Sequence, residues 1–409
     1  MSKAPENLKR FSTFYSLTGT LNQRIFESTG LPDKQALLST LQSKPSKRTL
    51  DMLMPTVCNQ DCTHCHFVEY EGQQFLKLDQ QLVDKANELA KYLKSYDPEA
   101  HLITYPREVT AFPKILPLRQ QLGQNAIYTN AALIDQKCVD NLIKYGVKTA
   151  FVSLHGSQKQ HSLLTGVDKN SYNRTVSGIK LLHQNGIHIN ILLALHSGNL
   201  SSISSVVKFL LENDLKHLKL IRFFPAGHGK NISQNRLLKT ADVIKILDKI
   251  EKIRHKYPQL SIAFYGMSFG PNFYSPNSFR FLAGQYTKYG DSRYLCPVIN
   301  QDYVGISLGT HNVYPCFEAM SFPEMKIGKL TEKNNKYSLS VNKTKFDPLL
   351  LHKKLQGICS AKKCQYQEFC LGGCRMHAYA VARKKGHKNP IFAGQDICLT
   401  QILDKYYQK

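Results

Sequence analysis

The placement of eleven cysteines constrains this 409-residue chain more than any other feature. Three lie between residues 58 and 65 and seven between 296 and 398, while the long interval between them holds only Cys138. An even spread would put about half of the cysteines in that interval. Cys138 sits in the amphipathic pattern IDQKCVDNLIKYG and reads as a core thiol, since an isolated free cysteine behaves as a small apolar side chain. Eleven cysteines are too sparse to staple a chain of this length by disulfides. The N-terminal MSKAPENLKRFSTFYS lacks the apolar run of a secretion signal, and no stretch of about 18 apolar residues occurs anywhere. The expectation is therefore a cytoplasmic protein without membrane contact, in which clustered cysteines are metal ligands rather than bridges.

Length suggests two or three domains, and 42% hydrophobic with 21% charged residues is ordinary globular composition. Residues 1–48 form a polar, basic N-terminal extension that closes on a Lys-Pro-Ser-Lys-Arg hinge. Apolar strand patterns then recur at 49–56, 101–106, 125–130, 149–156, 188–196 and 218–227. Helical patterns intervene at 79–96, 134–145, 171–184 and 200–213, and another follows at 240–256. Strands alternating with amphipathic helices imply repeated βαβ units and a parallel sheet. The expected fold class is α/β, a partial (β/α)6 TIM-like barrel over 49–270 with a small cysteine-rich C-terminal domain at 285–409. In such barrels the chemistry collects at the C-terminal ends of the strands. The first cysteine cluster follows the first strand directly, which is the place for a cofactor loop.

Cys58-Asn-Gln-Asp-Cys62-Thr-His-Cys65 is C-x3-C-x2-C. Three thiolates on one tight loop can hold three irons of a cubane cluster and leave the fourth without a protein ligand. A zinc site built from the three cysteines and His64 or His66 is the alternative, although zinc sites more often join C-x2-C pairs from two loops.

The triplet after the first strand of a βα-repeat resembles the radical S-adenosylmethionine (radical SAM) superfamily. The resemblance implies that the open iron chelates the amino and carboxylate groups of SAM, and that one electron from the [4Fe-4S] cluster cleaves SAM to a 5′-deoxyadenosyl radical. It further implies a low-potential reductant such as flavodoxin or ferredoxin. Residue by residue, His64 stands where an aromatic side chain packs near the adenine. Tyr105-Pro106-Arg107-Glu108 stands for the strand-2 Gly-Gly-Glu-Pro segment that receives the SAM amino group, keeping the acid as Glu108 but neither glycine. YTNAALID (128–135) resembles the strand-3 segment, and SLHGSQKQHSLLTG (153–166) the strand-4 region, where Ser153 would approach the ribose. Arg222, in LIRFFPAGHG, would meet the SAM carboxylate or a neighbouring acid.

Cys359-x4-Cys364-x5-Cys370-x3-Cys374, with Cys296, Cys316 and Cys398, has too many thiols for a single zinc, which takes four ligands. One or two zinc knuckles remain the plainer reading of the group. CQYQEFCLGGCRMHA (364–378) resembles the SPASM extension of radical SAM peptide maturases, which holds auxiliary iron–sulfur clusters. The resemblance implies one auxiliary cluster on Cys296, Cys316 and Cys374 and another on Cys359, Cys364, Cys370 and Cys398. The first lacks a fourth cysteine, so another ligand such as Glu318 completes it or an iron stays open. C-x4-C replaces the usual C-x2-C, and His311 stands in place of a glycine in HNVYPC.

Fifty-four Lys and Arg against thirty Asp and Glu give a net charge of +24. The plain reading is a solvated surface; the functional one is capture of an acidic partner such as a peptide leader. No RNP1 pattern or paired Cys/His finger occurs, so nucleic acid ranks below peptide, although plentiful Phe and Tyr would allow base stacking without Trp. The expected function is a maturase abstracting hydrogen from a peptide or protein. The alternatives are a radical SAM/SPASM enzyme acting on a tetrapyrrole, a sugar or a sulfatase-type protein, and a non-catalytic iron–sulfur electron carrier or scaffold.

Overall fold

The computed structural model describes residues 49–54, 56, 58–67, 77–265, 271–275, 278–281, 296, 298–299, 303–333, 336–342, 344–360, 364 and 367–398. The basic extension and hinge expected at 1–48 lie outside the described residues. All six expected strands form: β1 (Thr49–Met54), β2 (His101–Pro106), β3 (Ala126–Thr129), β4 (Thr149–Ser153), β5 (His188–Leu195) and β6 (His217–Arg222). A seventh, β7 (Ser261–Tyr265), extends the series. Every residue of β1 is buried, as expected of a parallel strand covered on both faces.

The helices are α1 (Gln80–Tyr96), α2 (Leu116–Gln121), α3 (Gln136–Lys144), α4 (Gln158–Thr165), α5 (Lys169–Gln184), α6 (Ser202–Glu212) and α7 (Thr240–Lys256). In α1, Leu82, Val83, Ala86, Leu89, Ala90 and Leu93 form the buried stripe, the spacing that a 3.6-residue period requires. Asp79 starts this helix by accepting the Leu82 N–H at 3.1 Å, and Asp135 and Asp168 cap α3 and α5 in the same way. Cys138 lies in the first turn of α3, half-buried at the edge of the core rather than within it. The short α2 and α4 carry too few periodic apolar positions to have been read from the pattern.

The C-terminal half adds β8 (Pro271–Ser275) and β9 (Ser278–Phe281), paired antiparallel, then β10 (Tyr303–Ser307), β11 (Asn312–Tyr314), β12 (Gly328–Lys333) and β13 (Lys336–Val341). Helices α8 (Pro348–Lys354), α9 (Gln367–Cys370) and α10 (Arg375–Lys384) follow. One sheet runs β13-β12-β11-β10-β1-β2 and the other β3-β4-β5-β6-β7. Strand β10 lies parallel to β1, with Asp51 opposite Gly305, so the cysteine-rich segment shares a sheet with the first barrel strand. The main apolar core among the described residues runs from Leu50 through Ile306 and Val313 to Met376 and Ile397, and Phe223, Leu237 and Val381 form a small second cluster.

Among the described residues β2 and β3 share no backbone ladder. Side chains close the seam instead. Arg119, buried on α2, donates to Thr104 O of β2 at 2.7 Å and to Ala126 O of β3 at 2.6 Å. Gln124 accepts the Thr104 hydroxyl at 3.0 Å and donates to Leu102 O at 3.2 Å. At the C-terminal end Glu108 joins the two strands, as described below. Side chains thus take up the Leu102, Thr104 and Ala126 carbonyls at the break.

Candidate functional site

Strand β1 feeds directly into the loop 58–67, and three neighbouring elements hold that loop in place. From α4, the carbonyl of Leu164 accepts both the N–H and the hydroxyl of Thr63, at 3.0 and 2.8 Å. Beyond β6, the His228 N–H donates to Cys65 O at 2.9 Å, and its Nδ1 lies 3.1 Å from Cys62 O. From the cysteine-rich segment, the Ser321 hydroxyl donates to His66 O at 2.7 Å. Gly227 has φ +56°, and a Cβ there would come within 2.5 Å of Cys65 O and 2.7 Å of His66 Cα. Only glycine lets the backbones meet this closely.

The three loop thiols are half-buried and unbridged. Asn130, at the end of β3, places Nδ2 3.7 Å from Cys58 Sγ and 2.7 Å from Asn59 Oδ1. Arg107 places Nη2 4.0 Å from Cys65 Sγ. Burial pushes the thiols of Cys58 and Cys62 up, and Arg107 draws both down. A bound metal would supply the positive charge that favours the thiolates of Cys58 and Cys62. Among the described residues no three His, Cys, Asp or Glu side chains converge on the position of one metal ion. Cluster thiolates each ligate a different iron and need only share a loop. The donor set fits an iron–sulfur cluster: three thiols, an amide and a guanidinium directed at sulfur, and a clamped backbone.

Of the residues expected to contact SAM, His64 lies within this site. Its Nδ1 is 3.3 Å from Leu164 O, its ring meets that of His155 edge-on at 4.6 Å, and burial pushes it down to about 4. It heads a group of neutral imidazoles that the sequence reading missed, although SLHGSQKQH contains two of them. His161 Nδ1 accepts the His155 N–H, His155 Nδ1 accepts the Ala194 N–H, and His196 Nδ1 accepts the Gly198 N–H. Burial holds all three below the ordinary imidazole range. Ser153 ends β4, half-buried and in register with Leu192.

Glu108 is buried, and its carboxylate is taken up by the protein itself. Oε1 accepts the Thr110 N–H (3.1 Å), the Thr110 hydroxyl (2.6 Å) and the Thr129 hydroxyl (2.7 Å), and Oε2 accepts the Asn130 N–H (2.8 Å). Arg222 meets the neighbouring acid: Nη2 lies 2.5 Å from Asp396 Oδ2, with side-chain exposures of 2% and 10%. Its Nη1 has no partner among the described residues. Asp51 of β1 is wholly buried with neither oxygen bonded among the described residues, and burial, then the charge of Glu318, pushes it well up.

The seven C-terminal thiols gather into two groups. Cys316 interacts electrostatically with Glu318, Cys374 and Cys296, and Cys370 with Cys359, Cys398 and Cys364. Backbone N–H groups of Arg375, Val298 and Ile299 reach the Cys296 sulfur, and the Gln395 N–H reaches Cys359 Sγ at 3.3 Å. Phe317, which follows Cys316, lies 5.5 Å from the ring of His66, which follows Cys65, so the loop and the first group are in ring contact.

An α/β barrel with a thiol triplet beyond its first strand and two thiol groups beside it offers the sulfur donors that an iron–sulfur enzyme needs. Residues 52–210 match the model of the radical SAM superfamily, a family of enzymes that use S-adenosylmethionine and a [4Fe-4S] cluster. The chain is 24% identical over 348 residues to a cysteine-type anaerobic sulfatase-maturating enzyme of Clostridium novyi, across 80% of this chain and 88% of that protein. Its fold is similar to Streptococcus suis SuiB bound to precursor peptide SuiA (TM-score 0.60, 17% identity, 89% of this chain and 78% of that one). It is also similar to native anSMEcpe with AdoMet and a peptide bound (TM-score 0.59, 17% identity, 88% and 97%).

Proposed function

We propose that this chain is a radical SAM maturase of a peptide or protein, with Cys58, Cys62 and Cys65 holding the catalytic cluster. The observation that carries this is the clamped loop that bears three thiols at the C-terminal end of β1. SAM on a reduced [4Fe-4S] cluster supplies a 5′-deoxyadenosyl radical able to take hydrogen from an unactivated carbon. The chain's own residues position and shield. His64 and its neutral neighbours give an uncharged wall beside the loop, Asn130 and Arg107 direct donors at its sulfurs, and Ser153 stands at the rim for a ribose. Glu108 secures the seam on which Asn130 depends, so we assign its carboxylate to the frame and leave SAM's amino group to the backbone around 105–107. Arg222, bound to Asp396, has Nη1 for a carboxylate.

We assign Cys296, Cys316 and Cys374 to one auxiliary cluster and Cys359, Cys364, Cys370 and Cys398 to the other, with 49–270 as core and 285–409 as auxiliary domain. Relatives named for sulfatase maturation and for a precursor peptide favour a peptide or protein substrate over a small molecule. No helix among the described residues is long and apolar enough to cross a membrane. The reading adds a cytoplasmic location and a flavodoxin- or ferredoxin-type reductant.

Anaerobically prepared protein should carry about eight to twelve irons and release 5′-deoxyadenosine from SAM under reduction. C58A should abolish that release and spare the auxiliary iron; retained turnover, or zinc in place of iron, would sink the assignment. Incubation with peptides encoded next to the gene, read by mass, tests the substrate.

A further inference from the structure

The largest fully buried side chain is a cation. Arg375 is 0% exposed, opens α10 immediately after Cys374, and among the described residues has no carboxylate partner. Its guanidinium is held by carbonyls only: Nη1 donates to Leu371 O and Gly372 O, both at 3.4 Å, and Nη2 to Ile391 O at 2.5 Å and Ala393 O at 2.9 Å. Nε has no partner. The backbone bends to admit it: Leu371, Gly372 and Gly373 have φ of 44°, 76° and 68°, and a Cβ on Gly372 would meet Nη1 at 2.4 Å. This explains the Leu-Gly-Gly between Cys370 and Cys374, since only a chain in the left-handed region leaves that space.

A buried guanidinium without a counter-ion is strongly destabilising. Carbonyl dipoles alone do not neutralise it, so anionic groups must lie beside it. Among the described residues the groups that interact electrostatically with Arg375 are cysteines of both groups, Cys296 and Cys374 of one and Cys359 and Cys370 of the other, which would be anionic as cluster ligands. Its own backbone N–H also reaches the Cys296 sulfur.

We propose that Arg375 is the shared counter-charge of the two auxiliary iron–sulfur sites, raising the reduction potential of both and coupling their loading to the fold. The inference rests on reading the seven C-terminal cysteines as two cluster sites. A fixed positive charge favours the more negative, reduced state of a cluster, and net charge with hydrogen bonding to sulfur is what sets such potentials. One residue placed between two sites shifts them together. It acts through the clusters and is a positioning residue, not a catalytic one.

The test uses the full chain with C58A, C62A and C65A, reconstituted with iron and sulfide so that only the C-terminal sites titrate. Iron content and EPR-monitored midpoint potentials are compared for Arg375, R375K and R375M. R375M should move both potentials to more negative values, and R375K, which keeps the charge but not the fork, should leave both near the parent. The rise in Tm on loading iron should shrink in R375M and persist in R375K. Unchanged potentials in R375M, a shift confined to one cluster, or an R375K shift as large as that of R375M would overturn the proposal. If R375M fails to load, R375K decides, because parent-like potentials support the charge and displaced ones refute it. A parent protein that binds no iron refutes the two-cluster reading itself, and this inference with it.

Discussion

Arg222 Nη2 lies 2.5 Å from Asp396 Oδ2, a buried ion pair that joins the end of β6 to the segment two residues before Cys398. Burial alone would push Asp396 up, yet Arg222, with His377 beside it, holds the carboxyl below its usual range. The pair spans 174 residues of sequence and ties the barrel to the cysteine-rich segment.

Removing one partner leaves the other charged and buried. D396A is expected to lose about 3–5 kcal/mol of stability, and the double variant R222M/D396A less than the sum of the single ones. Urea unfolding of the four proteins measures the coupling. Additive losses would show that the two groups do not depend on each other.

Glu108 accepts four hydrogen bonds at the β2–β3 seam. E108A strands the N–H groups of Thr110 and Asn130 and two hydroxyls, and a loss of about 2–4 kcal/mol follows from leaving buried donors unmet. Asn130 would then lose its hold on Cys58 and Asn59. E108Q keeps the acceptor oxygen and should recover part of both stability and iron content. Equal stability of E108A and the parent would show that the seam does not need the carboxylate.

G227A places a methyl group where Cys65 O and His66 Cα already lie, on a backbone at φ +56°. The 58–67 loop must move, so iron at the first cluster and release of 5′-deoxyadenosine should both fall at least tenfold. The auxiliary iron should remain. G386A, also at positive φ but with nothing within 4 Å of the added Cβ, is the control and should lose only the strain of its backbone.

Acid should destabilise the protein. His161 and His196 are buried and held at about 4, against about 6.5 for free imidazole. Below about 6.5 the unfolded chain takes up protons that the folded chain refuses until about 4, so stability is full above that window and falls through it. At pH 5.5 each such imidazole contributes about 1.4 kcal/mol of loss. H196N keeps an acceptor for the Gly198 N–H without titrating, so its urea midpoint should fall less between pH 7.5 and 5.5 than that of the parent. An identical pH slope would remove His196 from the account.

The barrel could be read from the chain because periodicity is local. The six strands and the stripe Leu82, Val83, Ala86, Leu89, Ala90 and Leu93 follow from side-chain spacing within one element. The thiol triplet was legible for the same reason, being eight consecutive residues. Short α2 and α4 escaped, because one or two turns show no period.

What pairs with what across the chain was decided by tertiary structure. Nothing near Arg222 announces Asp396, and nothing in YPRE reveals that Glu108 closes a seam where the backbone ladder is missing. GGCR shows an arginine beside a cysteine, but only the fold buries it among both thiol groups. Sequence by itself determined the strands, the helices and the sulfur ligands on offer, since these depend on neighbours a few residues away. The partner of each buried charge depends on where distant segments meet, and desolvation then leaves that charge no other choice.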